Sequence, residues 1–201
     1  MCTPKLPGKS PLQADQQAGL HSLQNIILIG PMGSGKTTLG RRLAPLMGRT
    51  FIDLDEELER RCGVEVAVVF DIEGEAGFRK REKELLNELV QRRDQVLATG
   101  GGSILDEDNR LQMKRNGLIV WLNTSVDQQI QRLERDRRRP LLAAPDRRQR
   151  LTEMAELRNP IYQSLADVEF SSRNLPLTRM VRALHQTLLP YVSEQGSSAC
   201  P

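Results

Sequence analysis

Eight residues carry the clearest chemistry in this chain: Gly30-Pro31-Met32-Gly33-Ser34-Gly35-Lys36-Thr37. They fit the pattern G-x-x-x-x-G-K-[ST], in which glycines let successive backbone N–H groups turn inward around phosphate oxygens. A helix starting at the loop's end adds partial positive charge to the same cradle. In that chemistry Lys36 reaches the outer phosphates and Thr37 offers its hydroxyl to Mg²⁺. Gly33, Ser34, Gly35, Lys36, Thr37 and Thr38 are therefore expected to bind nucleotide. The flanks agree: Asn25 to Ile29 is a short apolar run of the kind buried parallel strands show, and Leu39 and Leu43 lie on one helical face.

Five further groups could serve a phosphate cradle. Asp53-Leu54-Asp55 ends a short strand, and strand alternation would put both carboxylates on one side. One could order Mg²⁺ and the other accept a hydroxyl proton; the competing reading is a helix N-cap at Asp55. Arg79 could hold a carboxylate with two prongs, with Glu82 three residues on to orient it, or it could lie on a solvated charged face. Gly100-Gly101-Gly102 follows a strand directly and permits close backbone approach to a ligand, although a plain turn also uses glycine. Arg158 could be a second carboxylate clamp or a surface ion pair. Between them, Arg132 to Arg150 is dense in arginine. It suits a segment closing over ATP, or equally a basic loop touching a polyanion.

The elements that must position these residues can be read in order. Strands are expected at about 25–29, 50–53, 96–99, 118–122 and 168–170. Helices alternate with them: one from Thr37 that Pro45 ends or kinks, Asp55 to Arg61, a short one over Val64 to Phe70 closed by Asp71–Gly74, and Glu75 to Arg92. Asp106 to Asn116, Ser125 to about Arg135, Arg147 to Leu165 with a kink at Pro160, and Leu177 to Val192 complete the set. Ser125 and Gln128 form a capping box. This alternation defines an α/β layer fold with a parallel sheet. Residues 1–22 are expected to form a disordered extension, 23–193 a single domain, and 194–201 a flexible tail.

Composition narrows the class. The 201 residues carry 29 Lys+Arg against 26 Asp+Glu, a net charge of +3, so no strong nucleic-acid footprint exists. Aromatic residues make up 3%, too few for a base-stacking platform. No stretch approaches a membrane span. Three cysteines, Cys2, Cys62 and Cys200, imply neither a disulfide framework nor a metal site, which suits a reducing cytoplasm. His21 and His185 have no assignable partner.

Taken together, Gly30–Thr37, Asp53-Leu54-Asp55, Gly74-Glu75 with Phe78-Arg79 and Glu82, Gly100–Gly102, Arg139-Pro140-Leu141-Leu142 and Arg158-Asn159-Pro160-Ile161-Tyr162 resemble the shikimate kinase family over about residues 24–192. The resemblance implies a P-loop kinase fold, with a five-stranded parallel sheet in the order 2-3-1-4-5 and an arginine-rich lid. It implies phosphoryl transfer from ATP to the 3-hydroxyl of shikimate. By the same resemblance Asp55, Arg79, Gly101, Gly102 and Arg158 hold shikimate, the two arginines on its carboxylate and Asp55 at the reacting hydroxyl. Lys36, Asp55 and Arg139 are the expected catalytic residues, with Arg139 reaching ATP from the lid. Arg132 and Arg173 match positions near the adenine, although Arg173-Asn174-Leu175-Pro176 has one residue more before the proline than the family pattern. Thr37 and Asp53 are the expected Mg²⁺ positions. The expected partners are shikimate and ATP/ADP, with no nucleic acid or membrane, for a cytoplasmic monomer. The rivals are a gluconate or nucleoside monophosphate kinase, a non-catalytic nucleotide switch, and an RNA-binding module built on the arginine-rich segment.

Overall fold

The computed structural model describes residues 25–133, 146–171 and 175–192. The expected tails 1–22 and 194–201, the lid with Arg139, and Arg173 lie outside the described residues.

β1 (Asn25–Ile29) is buried along its whole length. Alternation sends Ile27 and Ile29 to one face of the sheet and Ile26 and Leu28 to the other. β1 pairs in parallel with β3 (Gln95–Ala98) on one side and β4 (Gly117–Asn123) on the other. β2 (Thr50–Asp53) pairs outside β3, and β5 (Val168–Ser171) outside β4. The order is therefore β2-β3-β1-β4-β5, as the resemblance implied.

Two hydrophobic layers follow from the alternation. On one face Ile27, Ile29, Leu97, Ile119 and Trp121 share a core with α2 (Leu54–Cys62), α3 (Val66–Gln91) and α6 (Arg147–Leu165). On the other, Ile26, Leu28, Val96 and Val120 pack with α1 (Lys36–Leu46) and α7 (Leu177–Val192). Leu39 and Leu43, the expected helical pair, are both buried in that second layer. Complete burial of one such side chain contributes about 1.5–3 kcal/mol, so the layers fix the sheet and hence the loops at its carboxyl edge.

The remaining helices are α4 (Glu107–Asn116) and α5 (Val126–Leu133). The capping box forms at the start of α5: Gln128 N donates to Ser125 Oγ, and Ser125 N to Gln128 Oε1, both at 3.3 Å. α1 ends at Leu46, one residue after Pro45. α6 runs through Pro160 to Leu165. Among the described residues no helix is long and apolar enough to cross a membrane.

One expectation needs correction. Asp71 to Glu73 do not close a short helix; they remain helical, and α3 breaks only at Gly74, at φ 68° and ψ −178°. The Arg81 guanidinium bridges the break by gripping both carboxylate oxygens of Glu73 at 2.6 and 2.7 Å, which keeps the two halves together.

Candidate active site

The phosphate loop joins β1 to α1, the strand–loop–helix setting its motif requires. Gly30, Gly33 and Gly35 all take positive φ (144°, 73° and 94°), a conformation L side chains rarely adopt. Gly35 precedes α1 without any side-chain cap. The helix N-terminus thus stands ready for an anion. The Lys36 ammonium is buried and donates to the Gly30 and Pro31 carbonyls at 2.7 and 2.9 Å. Thr38 is exposed at the third position of the helix. Arg132, near the end of α5, donates to the Gly33 and Ser34 carbonyls at 3.1 and 3.3 Å. Burial pulls its guanidinium below the usual arginine range. Its described hydrogen bonds therefore brace the outside of the phosphate loop.

The two aspartates occupy different elements. β2 ends at Asp53, and Asp55 lies in the first turn of α2, so strand alternation does not set its direction. That corrects the expectation of two carboxylates on one strand face. Asp53, not Asp55, is the N-cap: its Oδ1 accepts from Asp55 N at 3.0 Å and Glu56 N at 3.3 Å. Its Oδ2 accepts from Thr37 Oγ1 at 2.6 Å. One carboxylate thus caps a helix and touches the phosphate loop with separate oxygens. Thr37 and Asp53 form a pair of hard oxygens, the ligand type Mg²⁺ takes. Among the described residues no group of three or more His, Cys, Asp or Glu could hold a metal. A two-oxygen site fits an ion that usually takes its remaining ligands from water and phosphate.

The second half of the candidate site is built around the three glycines after β3. A Cβ added to Gly100 would lie 2.4 Å from Glu82 Oε1 and 3.3 Å from Asp55 Oδ1. One added to Gly102 would lie 2.5 Å from Arg79 Nη2. Any side chain at either position would displace the charged groups beside it. Arg79 Nη1 donates to Glu82 Oε2 at 2.7 Å, the orienting contact expected from their spacing. The Glu82 side chain is only 2% exposed, and its other oxygen accepts from Ser103 Oγ at 2.7 Å. A buried carboxylate satisfied on both oxygens is a rigid anchor for the arginine. On the opposite wall, Arg158 Nη1 and Tyr162 Oη both donate to the Gly101 carbonyl, at 3.4 and 2.7 Å. Arg158 Nε has no hydrogen-bond partner among the described residues. The side chain lines a cleft shared with Pro31 and Met32 of the phosphate loop.

The structure therefore brings Asp55, Arg79, Gly101, Gly102 and Arg158 around one glycine loop, with Thr37 linking Asp53 to the phosphate cradle. Ser103 and Tyr162 belong to the same network but were not singled out for a role. Tyr162 had a usable signal, since it lies one helical turn beyond Arg158 on the same face. Ser103 had none beyond following the glycines.

A P-loop cradle and an arginine-lined acceptor wall, both at the carboxyl ends of a parallel sheet in this strand order, define a P-loop kinase. The family model for shikimate kinase matches residues 32–189. The chain belongs to the shikimate kinase family. It is 50% identical over 166 residues to the shikimate kinase of Bordetella avium (strain 197N), covering 83% of this chain and 79% of that protein. Among solved structures, the shikimate kinase of Acinetobacter baumannii in complex with shikimate superposes with a TM-score of 0.78 at 42% identity, covering 90% of this chain and 99% of the other. A gluconokinase from Sinorhizobium meliloti 1021 gives a TM-score of 0.55 at 17% identity over 86% of this chain and 95% of the other, a likeness of fold alone.

Proposed function

We propose that this chain transfers the γ-phosphoryl group of ATP to the 3-hydroxyl of shikimate, giving shikimate 3-phosphate and ADP on the route to chorismate and the aromatic amino acids. The observation that carries the reading is the glycine loop flanked by Arg79 and Arg158 beside a phosphate cradle, within a member of this family. Shikimate offers one carboxylate and several hydroxyls, which suits two arginine forks, one carboxylate and close backbone.

In this mechanism the backbone amides of Gly33, Ser34 and Gly35, with Thr37 and Thr38 at the helix start, receive the phosphates. Lys36 turns from its loop carbonyls to offset charge on the transferring group. Arg79 and Arg158 grip the carboxylate of shikimate, and Gly101 and Gly102 allow its close approach. Asp55 aligns the 3-hydroxyl and accepts its proton as the new O–P bond forms and the bond to the ADP oxygen breaks. The transition state is loose and needs little deprotonation beforehand, so alignment is the larger part of that role. Mg²⁺, held by Thr37 and Asp53, would supply charge neutralisation on the phosphates. Arg139 acts on the same charge from the lid, and Arg132 and Arg173 serve the adenine side. The bonds of Arg132 to the Gly33 and Ser34 carbonyls suit that placement, because they put its guanidinium against the nucleotide loop.

The protein is taken to work in the cytoplasm as a monomer, without nucleic acid or membrane as partner; gel filtration and salt-dependent RNA binding test those points. The deciding experiment measures ADP release with shikimate, quinate, gluconate, AMP and no acceptor. Shikimate should stimulate far above the rest. Equal rates with every acceptor, or none above the blank, would refute the assignment.

A further inference from the structure

Gly101 sits within three consecutive glycines, a backbone with unusual freedom that something outside the loop must restrain. The peptide joining Gly101 to Gly102 is planar and trans, so its C=O and N–H point in opposite directions. Whatever holds the Gly101 oxygen therefore restrains the loop at that peptide. Two groups hold it, Tyr162 Oη at 2.7 Å and Arg158 Nη1 at 3.4 Å. The shorter bond belongs to the residue with no other task in the site. Tyr162 is 0% exposed, and its ring stacks on Trp121 with centroids 5.9 Å apart and planes 18° from parallel. Burial raises its phenol above the usual tyrosine range, an effect that Arg158 partly offsets, so the hydroxyl stays a proton donor at any working pH. The longer bond belongs to Arg158, the side chain required by the substrate carboxylate. Without the tyrosine hydroxyl, a partly buried carbonyl would be left to the arginine alone.

We infer that the Tyr162 hydroxyl is a positioning group for the acceptor substrate, holding the Gly101 carbonyl so that Arg158 is released to the shikimate carboxylate. This rests on the shikimate kinase reading above. It makes Tyr162 a partner of Arg158 across one helical turn, acting on substrate only through the glycine loop and the arginine.

Steady-state kinetics and melting curves of Tyr162→Phe, Trp121→Phe, Arg158→Ala and the Tyr162→Phe/Arg158→Ala double variant test this. Phe keeps the stacked ring and removes only the hydroxyl. Tyr162→Phe should raise the shikimate KM about tenfold, the loss of one good hydrogen bond, while the ATP KM stays within about twofold. Trp121→Phe disturbs the packing of the same ring. It should lower the melting temperature yet leave the shikimate KM within about twofold. In the Arg158→Ala background, deleting the hydroxyl should change the shikimate KM less than about threefold, because the competed arginine is gone. An unchanged shikimate KM in Tyr162→Phe would overturn the inference. So would a parallel rise in both KM values, an equal KM effect from Trp121→Phe, or simple additivity in the double variant. Should Tyr162→Phe not fold, Trp121→Phe alone decides: a raised shikimate KM there makes the ring, not its hydroxyl, responsible and overturns the role. The functional reading fails separately, if the wild-type protein shows no shikimate-dependent ADP release at all.

Discussion

The roles proposed for single side chains separate binding from catalysis. Lys36 is held by two loop carbonyls within its own motif, so it needs only a local turn to meet a phosphate. Lys36→Ala should cut turnover by about 10²-fold or more, read as kcat at saturating shikimate. Asp55→Asn keeps the shape of the side chain and removes its charge; kcat should fall by about 10²–10⁴-fold if the carboxylate accepts the proton. A normal kcat would reduce Asp55 to a first-turn helix residue. Arg158 is assigned to a carboxylate that does not change during the reaction. An interaction equal in ground and transition states appears in KM, whereas one that strengthens as charge redistributes appears in kcat. Arg158→Ala should therefore raise the shikimate KM with little change in kcat, and Arg139→Ala should do the reverse. Lysine at 158 should restore little, since a point charge lacks the two-pronged geometry. Swapped phenotypes for the two alanine variants would show the assignments to be reversed.

Elements decide which of these residues can meet. α2 and α3 carry Asp55 and Arg79 to the site, and Arg61 of α2, held by Glu57 of its own helix at 2.9 Å, ties α2 to α3 through Glu88 at 2.6 Å. Hydrogen bonds from Arg60 and then Arg61 hold Glu57 at about 2. Those from Arg61 and Arg92 hold Glu88 at about 2 as well. Both carboxyls are depressed below an unfolded value of about 4.3. Their contribution is therefore present above that value and lost as pH falls from about 4.3 through about 2. Glu88 is exposed and Glu57 partly so, both paired at the surface, so the loss should be small and should flatten in high salt. Melting temperatures at pH 6, 4 and 2, with and without salt, check this against Glu88→Gln, whose acid slope should be shallower. The sequence made some of this layer plain. β1 and its loop were readable because a five-residue apolar run and a fixed glycine spacing are local signals. The Arg79–Glu82 contact was readable because i,i+3 spacing on a helix is geometry. Asp55 reads both as a strand end and as a helix start; the structure puts it in the first turn of a helix that begins at Leu54, a start that pattern alone cannot distinguish from a strand running two residues longer. The Gly74 break was read as a four-residue closure because glycine marks a boundary without giving its width. Helical spacing puts Tyr162 on the Arg158 face, but its bond to the Gly101 carbonyl spans 61 residues and leaves no local signal of its partner.

The whole molecule assembles the proposed acceptor site from parts far apart in sequence: the start of α2, the middle of α3, the loop after β3 and the second half of α6. The parallel sheet makes this possible by bringing every contributing loop to its carboxyl edge. A ligand touching all of these parts binds the folded chain and not the unfolded one, so it must stabilise the fold as a unit. At a free concentration near 100 times Kd, that linkage is worth about 2.7 kcal/mol. For a domain of this size about 1 kcal/mol moves the melting temperature about 2–4 °C, so saturating shikimate should raise it by roughly 5–11 °C. Gluconate at the same concentration should move it little, because a likeness of fold alone to a gluconokinase does not carry a binding site with it. Arg158→Ala should lose most of the shikimate shift at that concentration while keeping the shift produced by an ATP analogue, whose cradle it does not touch. The measurement is a set of melting curves for wild type and variant with each ligand singly. If shikimate leaves the wild-type melting temperature unmoved at millimolar concentration, or if Arg158→Ala abolishes both shifts together, the acceptor wall and the phosphate cradle are not the separable sites argued from their geometry.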